Sequence, residues 1–197
     1  MRLIITRHGE TEENKAGIMQ GHLPGKLSAE GIRQAQKVAE RLKSEKIDFI
    51  FSSDLARAAD TAVEISLYHP EAKLELTQEL RERNLGEFTG KNISEAVLHQ
   101  KGSTAVFAEI KTGETEQDLY KRATIYLEKT LELHPDHTVL LVGHSGINKA
   151  LIAVITRRTH DYMKTMETQH NTNVSIFEID ENKNHKIHLL NDIEHLK

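Results

Sequence analysis

The chain has 197 residues, 30 Asp and Glu against 26 Lys and Arg, a formal net charge of -4 and a hydrophobic content of 38%. That length suffices for one domain with a sizeable core, and the charged fraction is that of an ordinary globular protein; the mild acidity argues against nucleic acid as a partner. No cysteine is present, which excludes disulfides, thiolate catalysis and thiolate metal sites.

No stretch approaches the ~20 apolar residues of a membrane span, and the apolar run after Met1 is far shorter than a signal peptide's core. A cytoplasmic protein with no membrane partner is the expectation. There is no linker, repeat or low-complexity tract.

The elements follow in chain order. Arg2 to Thr6 reads as a short buried strand that stops at Arg7-His8-Gly9-Glu10-Thr11. The stretch 28–46 reads as a helix opened by Ser28, with Ile32, Ala35, Ala39 and Leu42 as its core-facing stripe. "IDFIFSS" (47–53) predicts a second buried strand leading into the helix "DLARAADTAVEIS". Two successive strand–helix units predict neighbouring parallel strands with a right-handed crossover.

"KLELTQEL" predicts a short third strand that delivers "RERNLGEF". Thr115 to Leu133 has helical spacing and is closed by Pro135, and "TVLLVGHSG" (138–146) is the clearest strand, followed by helical periodicity in "INKALIAVI". "TNVSIFEID" and "HKIHLL", joined by "ENKN", predict a terminal antiparallel pair. The fold class expected is α/β: a three-layer α/β/α sandwich with a mostly parallel central sheet.

Three strand ends carry comparable groups. Arg7 and His8 follow the first, Ser52, Ser53, Asp54 and Arg57 the second, and His144 and Ser145 the most apolar one. In a parallel sheet these ends share one edge, so two imidazoles and two guanidiniums surround one pocket there. A tetrahedral phosphate suits such a pocket, because the guanidinium fork matches its oxygens. His134 and His137, and His185 and His188, lack a carboxylate set on a helix and are read as a solvated loop and an alternating strand.

Arg7-His8-Gly9-Glu10-Thr11 with Asn14 resembles the "RHGET…N" signature of the histidine phosphatase superfamily, the phosphoglycerate-mutase-like proteins. "QG" (20–21), "LSAEGIRQA" (27–35), "SSDLARAADTA", "LRERNLGEF" (80–88), "TGETEQDLYKRA" (112–123) and "LLVGHSGINKALI" (140–152) are similar, in order, to that family's successive motifs. The resemblance covers nearly the whole chain. It implies one histidine phosphatase domain over 1–197 with a short cap from about 83–115.

By that resemblance His8 is the nucleophile, Arg7, Arg57 and His144 hold the phosphoryl oxygens, and Glu82 is the proton donor. Glu87 stands as a rival within "ERNLGE". Asn14, Gln20, Gly21 and Ser145 are implied as substrate-binding. A neutral imidazole has the lone pair that attack on phosphorus requires, and cations stabilise the charge of the transition state, so neither metal nor cofactor is called for.

The shorter segment between Glu82 and His144, compared with the family's mutases, favours phosphomonoester hydrolysis of a small phosphorylated metabolite through a phosphohistidine. The alternatives are a cofactor-dependent phosphoglycerate mutase and a non-catalytic phosphate-recognition module. A metal hydrolase built on His8, His144 and Asp54 is a rival enzyme class. Glu13, where many relatives have Trp, and the missing acidic residue after "QG" bear on substrate identity, and a homodimer is left open.

Overall fold

In the computed structural model, which describes residues 1–92, 94 and 112–197, the elements are β1 (Arg2–Arg7), α1 (Glu12–Lys15), α2 (Ala29–Leu42), β2 (Phe49–Ser53), α3 (Ala56–Ser66), β3 (Lys73–Thr77), α4 (Glu116–Leu133), β4 (Thr138–Gly143), α5 (Ser145–Ile155), α6 (Tyr162–Thr165), β5 (Val174–Ile179) and β6 (His185–Asp192). Short 3₁₀ turns cover Gln78–Leu80, Gly86–Phe88 and Glu194–Leu196. The cap expected over about 83–115 falls largely on residues 93 and 95–111, which lie outside the described residues.

The strands form one six-stranded sheet in the order β3-β2-β4-β1-β5-β6. β3, β2, β4 and β1 run parallel, β5 pairs antiparallel with β1, and β6 pairs antiparallel with β5 at the sheet's far edge. The expectation that β1 and β2 adjoin is corrected, because β4 lies between them and pairs with both. Its burial explains the insertion. All but the first residue of β4 are buried, and a strand apolar on both faces is most stable at the centre, where helices cover it twice.

Alternation along β1 and β4 separates the two halves of the core. Leu3, Ile5, Val139 and Leu141 pack with Leu119, Leu127, Ile147 and Leu151 of α4 and α5. Ile4, Leu140 and Val142 pack with Val38, Leu42, Ala62 and Ile65 of α2 and α3. The result is the expected three-layer sandwich.

Ile32 departs from its expected core position and is 45% exposed. The buried stripe of α2 is Gly31, Ala35, Val38, Ala39 and Leu42, one residue out of phase with Ile32. The cause is a backbone-to-backbone contact at the helix start: a Cβ on Gly31 would run into the Glu10 carbonyl. Only glycine lets α2 press its first turn onto the loop that follows β1. Ser28 caps that turn, its Oγ accepting from the Gly31 N–H at 3.0 Å and donating to Glu10 Oε1 at 2.7 Å.

The strand expected over 138–146 ends instead at Gly143. His144 is the N-cap of α5, and Ser145 is its first helical residue. An imidazole is thereby set at a helix N-terminus, where anions are favoured.

Candidate active site

β1 delivers Arg7 and His8 to the carboxyl edge of the sheet. His8 N–H continues the ladder by donating to Gly143 O at 3.0 Å, which locks the turn to the end of β4. The His8 side chain is buried at 2% exposure. Its Nδ1 lies 2.6 Å from Gly9 O, and its Nε2 accepts from Arg57 Nε–H at 3.2 Å. A carbonyl can only accept and a guanidinium can only donate. The proton is therefore on Nδ1, and the lone pair is on Nε2.

Arg57 comes from the first turn of α3 and is 1% exposed. Its Nη2 donates to Gly21 O at 3.0 Å, and its Nη1 to Pro24 O at 3.2 Å and to Leu23 O. Three backbone carbonyls thus hold the guanidinium against His8. Asp54, close by in sequence, pairs instead with Arg81 in a fork at 2.6 and 2.5 Å. That engagement also separates Asp54 from the metal set imagined with His8 and His144. Among the described residues no group of His, Asp and Glu is arranged to hold a metal ion.

His144 is fully buried, its ring centroid 5.1 Å from that of His8. Among the described residues neither of its ring nitrogens has a hydrogen-bond partner, and the buried Nε of Arg7 is also without one. Buried donors left unpaired are costly. Clustered at one strand edge, they are the complement of an anion's oxygens.

Glu82 reaches the same edge. Its Oε1 accepts from the Arg83 N–H at 2.8 Å and the Gly146 N–H at 3.0 Å, and its Oε2 lies 3.1 Å from Gly146 N. A Cβ at Gly146 would collide with Oε1, so glycine there is what admits the carboxylate to the start of α5. The rival Glu87 is turned elsewhere, accepting from Thr112 N–H and Oγ1–H at 3.1 and 2.7 Å.

The residues expected to bind substrate are placed less uniformly. Asn14 closes a capping box on α1, its Oδ1 accepting from the Thr11 N–H at 3.2 Å. Gln20 donates to Thr11 Oγ1 at 2.9 Å while its buried Oε1 has no partner among the described residues. Gly21 contributes its carbonyl to Arg57. Ser145 sits between His144 and Gly146, in the first turn of α5.

Sequence reasoning missed the segment 169–173. Asn171 Nδ2 donates to His8 O at 3.0 Å, Asn173 Oδ1 accepts from the Arg7 N–H at 3.2 Å, and Arg7 Nη1 donates to Gln169 O at 2.7 Å. Thr172, at φ 51, donates its N–H to Arg7 O at 3.0 Å. The available signal was the "QHNTN" run before a strand, since asparagine pairs readily with backbone. His22 was also missed. Its Nε2 lies 2.9 Å from Glu82 O.

The charges follow from burial. Desolvation, reinforced by Arg7 and Arg57, holds His8 well below the ordinary histidine range, and desolvation with Arg57, His8 and Arg7 does the same to His144. Burial likewise pulls Arg57 down to about 10, so it stays a cation at neutral pH. Both imidazoles are therefore neutral in the folded chain.

A stability effect results. The ordinary histidine value is ~6.5, so as pH falls through it the unfolded chain takes up protons that the folded chain refuses. Stability is unaffected above that value and declines below it. His69, His134 and His195, also held down chiefly by burial, act in the same direction. The urea midpoint should fall between about pH 7 and pH 5, before carboxylates titrate near ~4.5. His144→Gln, which cannot titrate, should lessen that fall. A midpoint independent of pH across this window would contradict two neutral buried imidazoles.

Paired neutral imidazoles and buried guanidiniums at the carboxyl ends of parallel strands form an arrangement chemically suited to a phosphoryl group. Residues 3–193 match the family model of the histidine phosphatase superfamily (branch 1), and the chain belongs to that family. It is 32% identical to the phosphoglycerate mutase-like protein 4 of Arabidopsis thaliana, over 99% of this chain and 86% of that one. With the metal-independent phosphoserine phosphatase of the same plant it shares 33% identity, over 79% of this chain and 68% of the other. The solved mycobacterial glucosyl-3-phosphoglycerate phosphatase superposes with a TM-score of 0.87 at 26% identity, covering 98% of this chain and 99% of that one.

Proposed function

We propose that this chain hydrolyses small phosphomonoesters through a phosphohistidine on His8, in the cytoplasm, as one phosphatase domain with a cap from about 83–115. His8 carries this reading, because Gly9 O and Arg57 together keep its lone pair on Nε2. Two relatives support the substrate class: one is named for phosphoserine and the other for glucosyl-3-phosphoglycerate, both small phosphomonoesters.

Nε2 attacks phosphorus and forms the P–N bond while the ester P–O bond breaks, its electron pair going to the leaving oxygen. Arg7, Arg57 and His144 spread the charge that builds on the phosphoryl oxygens. Arg57 Nε–H, which donates to Nε2, turns to a phosphoryl oxygen when the lone pair is used. Gly9 O holds the Nδ1–H throughout.

The leaving oxygen takes its proton from Glu82. Two backbone N–H groups, of Arg83 and Gly146, converge on Oε1, and Oε2 only shares the second of them, so the proton of the acid form belongs on Oε2, the less engaged oxygen. Once ionised, the same carboxylate takes a proton from water, the water oxygen attacks phosphorus, the P–N bond breaks, and inorganic phosphate leaves.

The test separates acid from clamp. Glu82→Gln should lose about 10²-fold or more in kcat on an alkyl phosphate, whose alkoxide needs a proton, and far less on p-nitrophenyl phosphate, whose phenolate leaves unaided. The assays run with a chelator present. Equal losses on both substrates, or a selective loss only in Glu87→Gln, would remove Glu82 from this role. Interconversion of phosphoglycerates without phosphate release would favour the mutase reading instead.

A further inference from the structure

The helix α4 opens at "TGETEQDLYKR", and its one inward arginine, Arg122, takes no part in the chemistry proposed above. Its five N–H groups are all spent inside the protein. Nε donates to Glu114 Oε1 and Nη2 to Glu114 Oε2, each at 2.8 Å, a fork on one carboxylate. Nη1 donates to Glu79 O at 2.6 Å and Arg81 O at 3.0 Å, and Nη2 also to Glu82 O at 3.3 Å. No donor remains for a ligand.

The acceptors are the informative part. Three of them are carbonyls of one short stretch, the turn after β3 that ends on Glu82. Glu114 holds the far side of that stretch: its Oε2 accepts from the Asn84 N–H at 2.9 Å, and its carbonyl accepts from Arg83 Nε at 2.7 Å. Its backbone N–H donates to Asn84 O at 2.9 Å. The Arg122 and Glu114 side chains are 17% and 21% exposed, so the pair is screened from solvent far more than a surface salt bridge. Burial pushes the Glu114 carboxyl up, but Arg122 and the Asn84 N–H outweigh it and keep the group ionised.

We propose that Arg122, its fork fixed by Glu114, is the positioning residue of the acid: it ties residues 79–82 to the first turns of α4 and so sets where the Glu82 carboxylate meets the leaving oxygen. This rests on the reading of Glu82 as proton donor. A side chain that only stabilised the fold would affect every substrate alike. One that positions the acid affects the protonated leaving group and spares the phosphoryl clamp, because Arg7, His8, Arg57 and His144 hang from β1, α3 and α5 and not from this turn. Misplacing a reacting group by about 1 Å costs about 10²-fold in rate.

The experiment compares Arg122→Met, Glu114→Gln and Glu82→Gln with wild type, on glycerol 2-phosphate and on p-nitrophenyl phosphate. Arg122→Met should lower kcat on glycerol 2-phosphate by about 10- to 10²-fold with KM little changed, and lower it only slightly on p-nitrophenyl phosphate. Glu114→Gln keeps the volume and one acceptor, so it should show the same selectivity to a lesser degree, and it decides the matter if Arg122→Met does not fold. Selective loss in Glu82→Gln with equal losses on both substrates in the other two variants overturns the positioning role and leaves the acid standing. Unselective loss in Glu82→Gln overturns both.

Discussion

His8→Ala is expected to lose at least about 10⁴-fold in kcat, because it removes the atom that bonds to phosphorus. Wild-type enzyme quenched during turnover of a labelled substrate should retain phosphate that is stable in alkali and released in acid, as a phosphoramidate is. The variant should retain none. Its fold should survive, since β1, β4 and the contacts of Asn171 with the position-8 carbonyl are made by backbone at that residue. Label on a hydroxyl side chain, or near-normal activity in the variant, would overturn the phosphohistidine.

Arg57→Ala carries the second-largest expectation, a loss of about 10²- to 10³-fold in kcat/KM on alkyl and aryl phosphates alike. The guanidinium faces charge that develops on the phosphoryl group whatever leaves, which distinguishes it from Glu82. Inhibition by phosphate or vanadate should weaken in parallel. Arg57→Lys should rescue little: one ammonium cannot hold the carbonyls of Gly21, Leu23 and Pro24 and still reach His8. Removing a buried donor leaves those carbonyls unpaired, so the melting temperature should fall as well. Unchanged vanadate inhibition in a folded Arg57→Ala protein would place the anion elsewhere.

Much of this was legible in the sequence for a plain reason. Strands buried on both faces are continuous apolar runs and helices carry a stripe, so β1, β2, β4, α2 and α4 can be read from periodicity alone. Those runs stop abruptly at Arg7-His8, at Ser52-Ser53 and at His144-Ser145, which marks the sheet edge where ligands bind. The ordered motifs added the family, and the family model matches almost the full length. Local sequence was less exact about boundaries. It ran the fourth strand to 146, whereas the chain turns at Gly143 and caps a helix with His144.

What sequence by itself determined, then, is the set of elements, the chemistry available without thiols, and the imidazoles and guanidiniums that belong to one edge. Strand order was decided by tertiary structure, because β4 gains most from being covered on both sides and so displaces β1 from β2. The outward face of Ile32 was decided by the contact of Gly31 with Glu10, a meeting of residues 21 positions apart that no periodicity within α2 encodes. The tautomer of His8, the aim of Arg57 away from Asp54, and the docking of Glu82 rather than Glu87 at Gly146 are likewise results of packing. Each depends on a hydrogen-bond partner supplied by a distant segment, and a linear pattern records the side chain but not the partner that orients it.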